Sequence, residues 1–108
     1  MRPKIFLLEG VTRRPRHEVM MDIRDIVSAA GGWIAGETCF AAIAVTFRFS
    51  ITPSHLEAFH TRILAASVCL DDSSLDRLTQ AIAQSVPDQA EILVALNVTF
   101  SDGSTDPS

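Results

Sequence analysis

No stretch of this chain approaches the ~20 consecutive apolar residues that a helix needs to cross a bilayer. The longest apolar run, CFAAIAVTF, spans Cys39 to Phe47, so no membrane partner is expected. Arg2 and Lys4 precede only IFLL before Glu9, short of the ~7–15 apolar residues of a secretory leader. Cysteine is scarce: Cys39 and Cys69 stand in no metal-spaced or redox pair, which reads as two small, buried free thiols in a reducing cytoplasm. Positive charge is in deficit, 9 Lys and Arg against 13 Asp and Glu, for a net charge of −4. That balance argues against a nucleic-acid partner, whose phosphates need a basic surface. Histidine offers no metal set, because His55 and His60 lie about 140° apart on a helix. Neither cysteine has a neighbouring base. With no nucleophile–base, metal or cofactor pattern, a non-enzymatic role with no cofactor is expected.

What is present suits a packed core. The 108 residues are 47% hydrophobic and 20% charged, enough for one domain that buries roughly two-thirds of its unfolded surface. That domain is read as residues 1–100, and SDGSTDPS at 101–108 as a frayed tail with too little apolar surface to order itself. KIFLLEG, Lys4 to Gly10, is too short for a helix and reads as a buried strand. From Pro15, Val19, Ile23, Ile26, Val27 and Ala30 recur at helical spacing until Gly31-Gly32 supplies a left-handed stop. WIAGETC is a weaker strand that Gly36 marks as bulged or at an edge. Ala41 to Ile51 then alternates strictly, as does Glu91 to Phe100. Between them, Thr52 and Pro53 open a helix with a Leu56, Phe59, Ile63 and Ala66 stripe. Ser73 or Ser74 caps a shorter helix carrying Leu75, Leu78, Ile82 and Val86 and ended by Pro87-Asp88, with Asp71-Asp72 favouring its positive end.

The order predicts an α+β domain of ferredoxin-like, split βαβ type: an antiparallel four-stranded sheet with two to three helices on one face. The uncovered face then carries Ala42, Ala44, Thr46, Leu93 and Ala95, poor in charge for a solvated surface. Either small residues are simply tolerated there, or the face is a homodimer contact, sheet to sheet or edge to edge. Glu37 and Arg48 are placed to meet across neighbouring strands, and Trp33 reads as a core or interface anchor.

Arg13, Arg14, Arg16 and His17 gather where the first helix begins, although a helix start favours carboxylates over cations. Two readings stay open. The side chains converge with the first-turn N–H groups on a carboxylate or phosphate, or they splay into water and pair with Glu9, Glu18 or Asp22.

FLLEGVTRRPRHEVMMDIRDIVSAAGGWI, followed by an alternating strand and TPSHLEAFHTRIL, resembles the small regulatory ligand-binding modules called ACT domains over about residues 5 to 66. Pro15 is followed by Arg16 where that group has a glycine. The resemblance implies a homodimeric sensor that binds an amino-acid-like ligand near the first loop and helix start, here Glu9 to His17. The alternative is a structural or protein–protein interaction domain with no small ligand.

Overall fold

The computed structural model describes residues 5–40, 43–84 and 90–101. Within them the chain runs β1 (Ile5–Thr12), α1 (Arg16–Ala29), β2 (Trp33–Phe40), β3 (Ala44–Ile51), a single 3-10 turn (Pro53–His55), α2 (Leu56–Ala65), β4 (Cys69–Leu70), α3 (Asp72–Ala83) and β5 (Ile92–Phe100). The fold is α+β, and the strands form one mixed sheet in the order β2-β3-β5-β1-β4.

Two features differ from a four-stranded antiparallel sheet. The last strand enters between β3 and β1 and runs parallel to β1 over its whole length, Ile5 opposite Leu93 to Thr12 opposite Phe100. A fifth strand, Cys69–Leu70, pairs antiparallel with Gly10 and Val11. At two residues it is too short to show alternation.

Alternation decides which side of the sheet is covered. Leu8, Val45, Phe47, Phe49, Ile51, Val94, Leu96 and Val98 are fully buried and share one core with Val19, Ile23 and Val27 of α1, Leu56, Phe59 and Ile63 of α2, and Leu78 of α3. The helices therefore cover one face, and the rings of Phe49 and Phe59 meet there with centroids 5.1 Å apart. β1 is not buried on both sides as its apolar run suggests: Ile5 and Leu7 are exposed while Leu8 between the alternating positions is not.

Local chemistry sets the ends of the helices. α1 stops at Gly31, whose φ of +82° an L side chain resists, with Gly32 N donating to Val27 O at 2.9 Å. α2 ends at Ser67, which holds φ +67° without being glycine. Asp71 rather than Ser73 or Ser74 caps α3, its carboxylate accepting from Ser74 N at 2.8 Å. That bond holds the Asp71 carboxyl below the usual carboxylate range. Val86, Pro87 and Asp88, read as the end of this helix, lie outside the described residues.

The cap frees Ser74 for another task. Its buried Oγ accepts from Glu9 N at 2.8 Å, Asp71 N donates to Glu9 O at 2.9 Å, and the Arg77 guanidinium donates to Leu7 O at 2.8 and 3.1 Å. Side chains of α3 thus occupy the edge of β1 where β4 stops short. At the opposite edge, β2 carries a register shift between Ile34 and Gly36, and bulges of this kind discourage edge-to-edge pairing.

Candidate functional site

The arginines at the start of α1 do not converge. Arg14 is tied into the fold: Nη1 donates to Asp22 Oδ2 at 2.7 Å and to the Ala66 carbonyl at 2.9 Å, and Nη2 to Glu18 Oε1 at 3.3 Å. It clamps α1 to the C-terminal end of α2, where free carbonyls welcome a cation. Its carboxylate partners, Asp22 first, raise the already high pKa of the guanidinium further. Arg16 leans the other way and donates to Cys39 Sγ at 3.5 Å. Arg13 and His17 are exposed, and Arg13 has no hydrogen bond or ion pair among the described residues.

Arg13 does border a groove of about 570 Å³ at the C-terminal ends of β1 and β5. Val11, Arg14, Leu64, Ser67, Cys69 and Ser101 are among its other lining residues. Ser67 was invisible to pattern reading, since a left-handed serine at a helix end leaves no glycine to mark it.

The uncovered face of the sheet is the larger feature. Strand register arranges it in four rows. Trp33, Ser50, Leu93 and Ile5 form the first, and Gly36, Arg48, Ala95 and Leu7 the second. Thr38, Thr46, Asn97 and Glu9 form the third, and Phe40, Ala44, Thr99, Val11 and Cys69 the fourth. Ala44, Thr46 and Leu93 are half-buried and Ala95 is buried, so each lies on this face as expected; Ala42 lies outside the described residues.

The expected set omitted the large side chains. Trp33 is 61% exposed, Leu7 57%, Ile5 53%, Phe40 52% and Val11 47%. Trp33 is not a core residue. The five together present on the order of 500 Å² of apolar surface, in two groups: Trp33 and Phe40 on β2, and Ile5, Leu7 and Val11 on β1. A sequence signal existed for Ile5, Leu7 and Val11, which occupy alternate positions. For Phe40 the one signal was Gly36, read as a bulge or an edge: the bulge changes the parity of β2 after Ile34.

The same bulge overturns the expected Glu37–Arg48 pair. Glu37 sits opposite Phe47 on the helix side, where Arg24 of α1 donates to both of its oxygens at 2.7 and 2.8 Å. The Arg24 guanidinium holds the Glu37 carboxyl below the ordinary glutamate range. Arg48 lies on the uncovered face and donates to Thr38 Oγ1 at 2.9 Å. The four rows hold one cation, Arg48, and one anion, Glu9, and among the described residues neither forms an ion pair.

Cys39 and Cys69 are free thiols, but both are exposed rather than buried, because each sits on an edge strand. They face opposite ways, Cys39 opposite the inward Val45 and Cys69 opposite the outward Val11. No group of three or more His, Cys, Asp or Glu side chains among the described residues is arranged to hold a metal ion, and no helix there is long and apolar enough to cross a membrane. Comparison of the chain with protein-family models, with curated proteins and with solved structures returned no match.

Proposed function

We propose that this chain is a non-enzymatic protein-interaction domain whose working surface is the uncovered face of its sheet, built on a variant of the ferredoxin-like plan. The element shared with that plan is β1, α1 and β2, with β1 and β2 running the same way; β3 lies between them, and here β5 does as well. The observation that carries the reading is the set of five large apolar side chains, Ile5, Leu7, Val11, Trp33 and Phe40, standing half exposed or more on one face. Water would cover that surface only at a hydrophobic cost of ~25 cal/mol per Å², whereas a bound surface removes the cost. With side chains of α3 along one sheet edge and a bulge in the other, the face is the route to association.

The two cysteines supply the test. Cys69 lies on the proposed surface and Cys39 on the opposite side. Maleimide labelling in an extract of the cells that make the protein, compared with dilute purified protein, is expected to slow at Cys69 and stay unchanged at Cys39. Equal rates for Cys69 in the two settings would sink the reading.

The groove at Arg13 favours a second reading, an ACT-like sensor that takes a small carboxylate or phosphate. Its support is an exposed arginine without an ion-pair partner beside the hydroxyl-bearing Ser67 and Ser101. Thermal unfolding against amino acids, nucleotides and organic phosphates tests it. A ligand at ~100 times its dissociation constant adds about 2.7 kcal/mol, and that gain is expected to vanish in Arg13→Ser. Absence of any shift across the panel leaves the interaction reading alone.

A further inference from the structure

The uncovered face carries enough detail to say what covers it, granted the proposed interaction role. β5 is the middle strand of five, with β3 and β2 on one flank and β1 and β4 on the other. The flanks are unlike. β2 carries the two aromatic side chains, Trp33 and Phe40, while the other flank is incomplete because β4 pairs only with Gly10 and Val11. Beside Ile5 and Leu7, where β4 is missing, lies a hollow of about 580 Å³ lined by Ile5, Phe6, Leu7, Glu9 and Arg77. One flank of the face therefore projects bulk and the other has room for it.

We propose that the occupant of the face is a second copy of this chain, stacked sheet on sheet about a two-fold axis along β5, so that Trp33 of each copy seats in the partner's hollow beside Ile5 and Leu7. Three features of the rows fit such a stack. A two-fold axis along the middle strand places β2 over the partner's missing-strand flank and β3 over the partner's β1. Trp33 shares its row with Ile5, so the indole arrives at the level of the hollow. There the partner's Arg77 guanidinium lies within reach of the ring face, a favourable neighbour for an indole.

The axis strand is small at its middle, between Leu93 and Asn97. Ala95 occupies the middle of β5, and Gly36 and Ala44 lie toward the aromatic flank, which lets the sheets approach the ~10 Å of aligned packing. The two charges of the face complement each other under the same operation. Arg48 is on β3 and Glu9 on β1, one row apart, so the axis brings Arg48 of each copy near the partner's Glu9, twice per dimer. The apolar area, with the small and polar residues between, approaches the ~800 Å² per partner of a standard interface. Isologous pairing of this kind closes on itself and leaves no free face for further copies.

The test uses the purified full chain. It contains one tryptophan and no tyrosine, so its indole fluorescence reports Trp33 alone. As concentration rises from nanomolar to ~100 µM, sedimentation is expected to show monomer giving way to dimer. In step with it the emission shifts to shorter wavelength and acrylamide quenching falls severalfold. Arg48→Glu and Glu9→Arg each set like charges against one another and are expected to weaken dimerisation at least ~10-fold. An equimolar mixture of the two variants restores it, since only the mixed dimer has opposite charges at both contacts. That rescue also shows that both variants are folded.

A chain that stays monomeric throughout overturns the second-copy proposal; the interaction reading then stands or falls on the labelling of Cys69 in extract. A dimer whose Trp33 stays open to acrylamide overturns the seating of the indole. A dimer indifferent to both charge reversals overturns the two-fold arrangement.

Discussion

Replacing Arg14 by alanine decides whether this residue belongs to the fold or to a ligand. The substitution removes two charge-assisted bonds, to Asp22 at 2.7 Å and to the Ala66 carbonyl at 2.9 Å, and a weaker contact to Glu18 at 3.3 Å. Asp22 and Glu18 are 41% and 56% exposed against 30% for Arg14, so screening limits their joint contribution to ~1 kcal/mol. The carbonyl at the end of α2 is another matter: a charged donor to a partly covered acceptor contributes about 1.5 kcal/mol. The sum, roughly 2.5 kcal/mol, corresponds to a fall in Tm of at least about 10 °C for a domain of this size. Arg14→Lys retains the charge and a single donor nitrogen where Nη1 bonds both Asp22 and the Ala66 carbonyl, but it loses the planar geometry and the Nη2 contact to Glu18, and is expected to recover about half. The assay is thermal unfolding followed by circular dichroism, at low salt and at ~1 M salt, where only the carboxylate part should be lost. A Tm for Arg14→Ala within about 2 °C of the unmodified chain would refute the clamp.

Three further substitutions probe other joints. Gly32→Ala is expected to destabilise by more than ~2 kcal/mol in urea unfolding, because the new Cβ collides with the Ser50 carbonyl of the backbone, whereas Gly36→Ala, which meets only the mobile tip of Arg48, should cost less than ~1 kcal/mol. Ser67→Gly should stabilise by about 1 kcal/mol, read as a rise in Tm, since Ser67 holds a left-handed conformation that glycine adopts freely. Glu37 has a lowered pKa because of Arg24, so its contribution is present above the unfolded value of about 4.3 and is lost as the pH falls through the lower folded value. Arg24→Ala should therefore lower stability by ~0.5 kcal/mol at neutral pH, the pair being half exposed, and converge with the unmodified chain in strong acid.

The uncovered sheet face shows how far local pattern reaches. Alternation along β3 and β5 assigned Ala44, Thr46, Leu93 and Ala95 to one side, because a period of two needs nothing beyond the strand itself. The first row of that face, Trp33 to Ile5, joins four strands through pairings that span the chain. A strand carries no record of its neighbours, so the row could not be read before the sheet was assembled.

Elements and their covered sides follow from short-range steric and hydrophobic periodicity, and these were written in the residues: the α1 stripe and its Gly31 stop, the two alternating strands, and α2 to within one turn, since Pro53 opens a 3-10 turn and the α-helix starts at Leu56. Three other features required the packed chain. The insertion of β5 beside β1, the pairing of Glu37 with Arg24 beyond the bulge that Gly36 had marked, and the capture of Arg14 by a carbonyl 52 residues away all depend on contacts distant in sequence. A side chain such as Arg14 has the same chemistry in a solvated turn, an anion site or a clamp; the difference lies in which acceptors the tertiary fold brings within 3 Å of it.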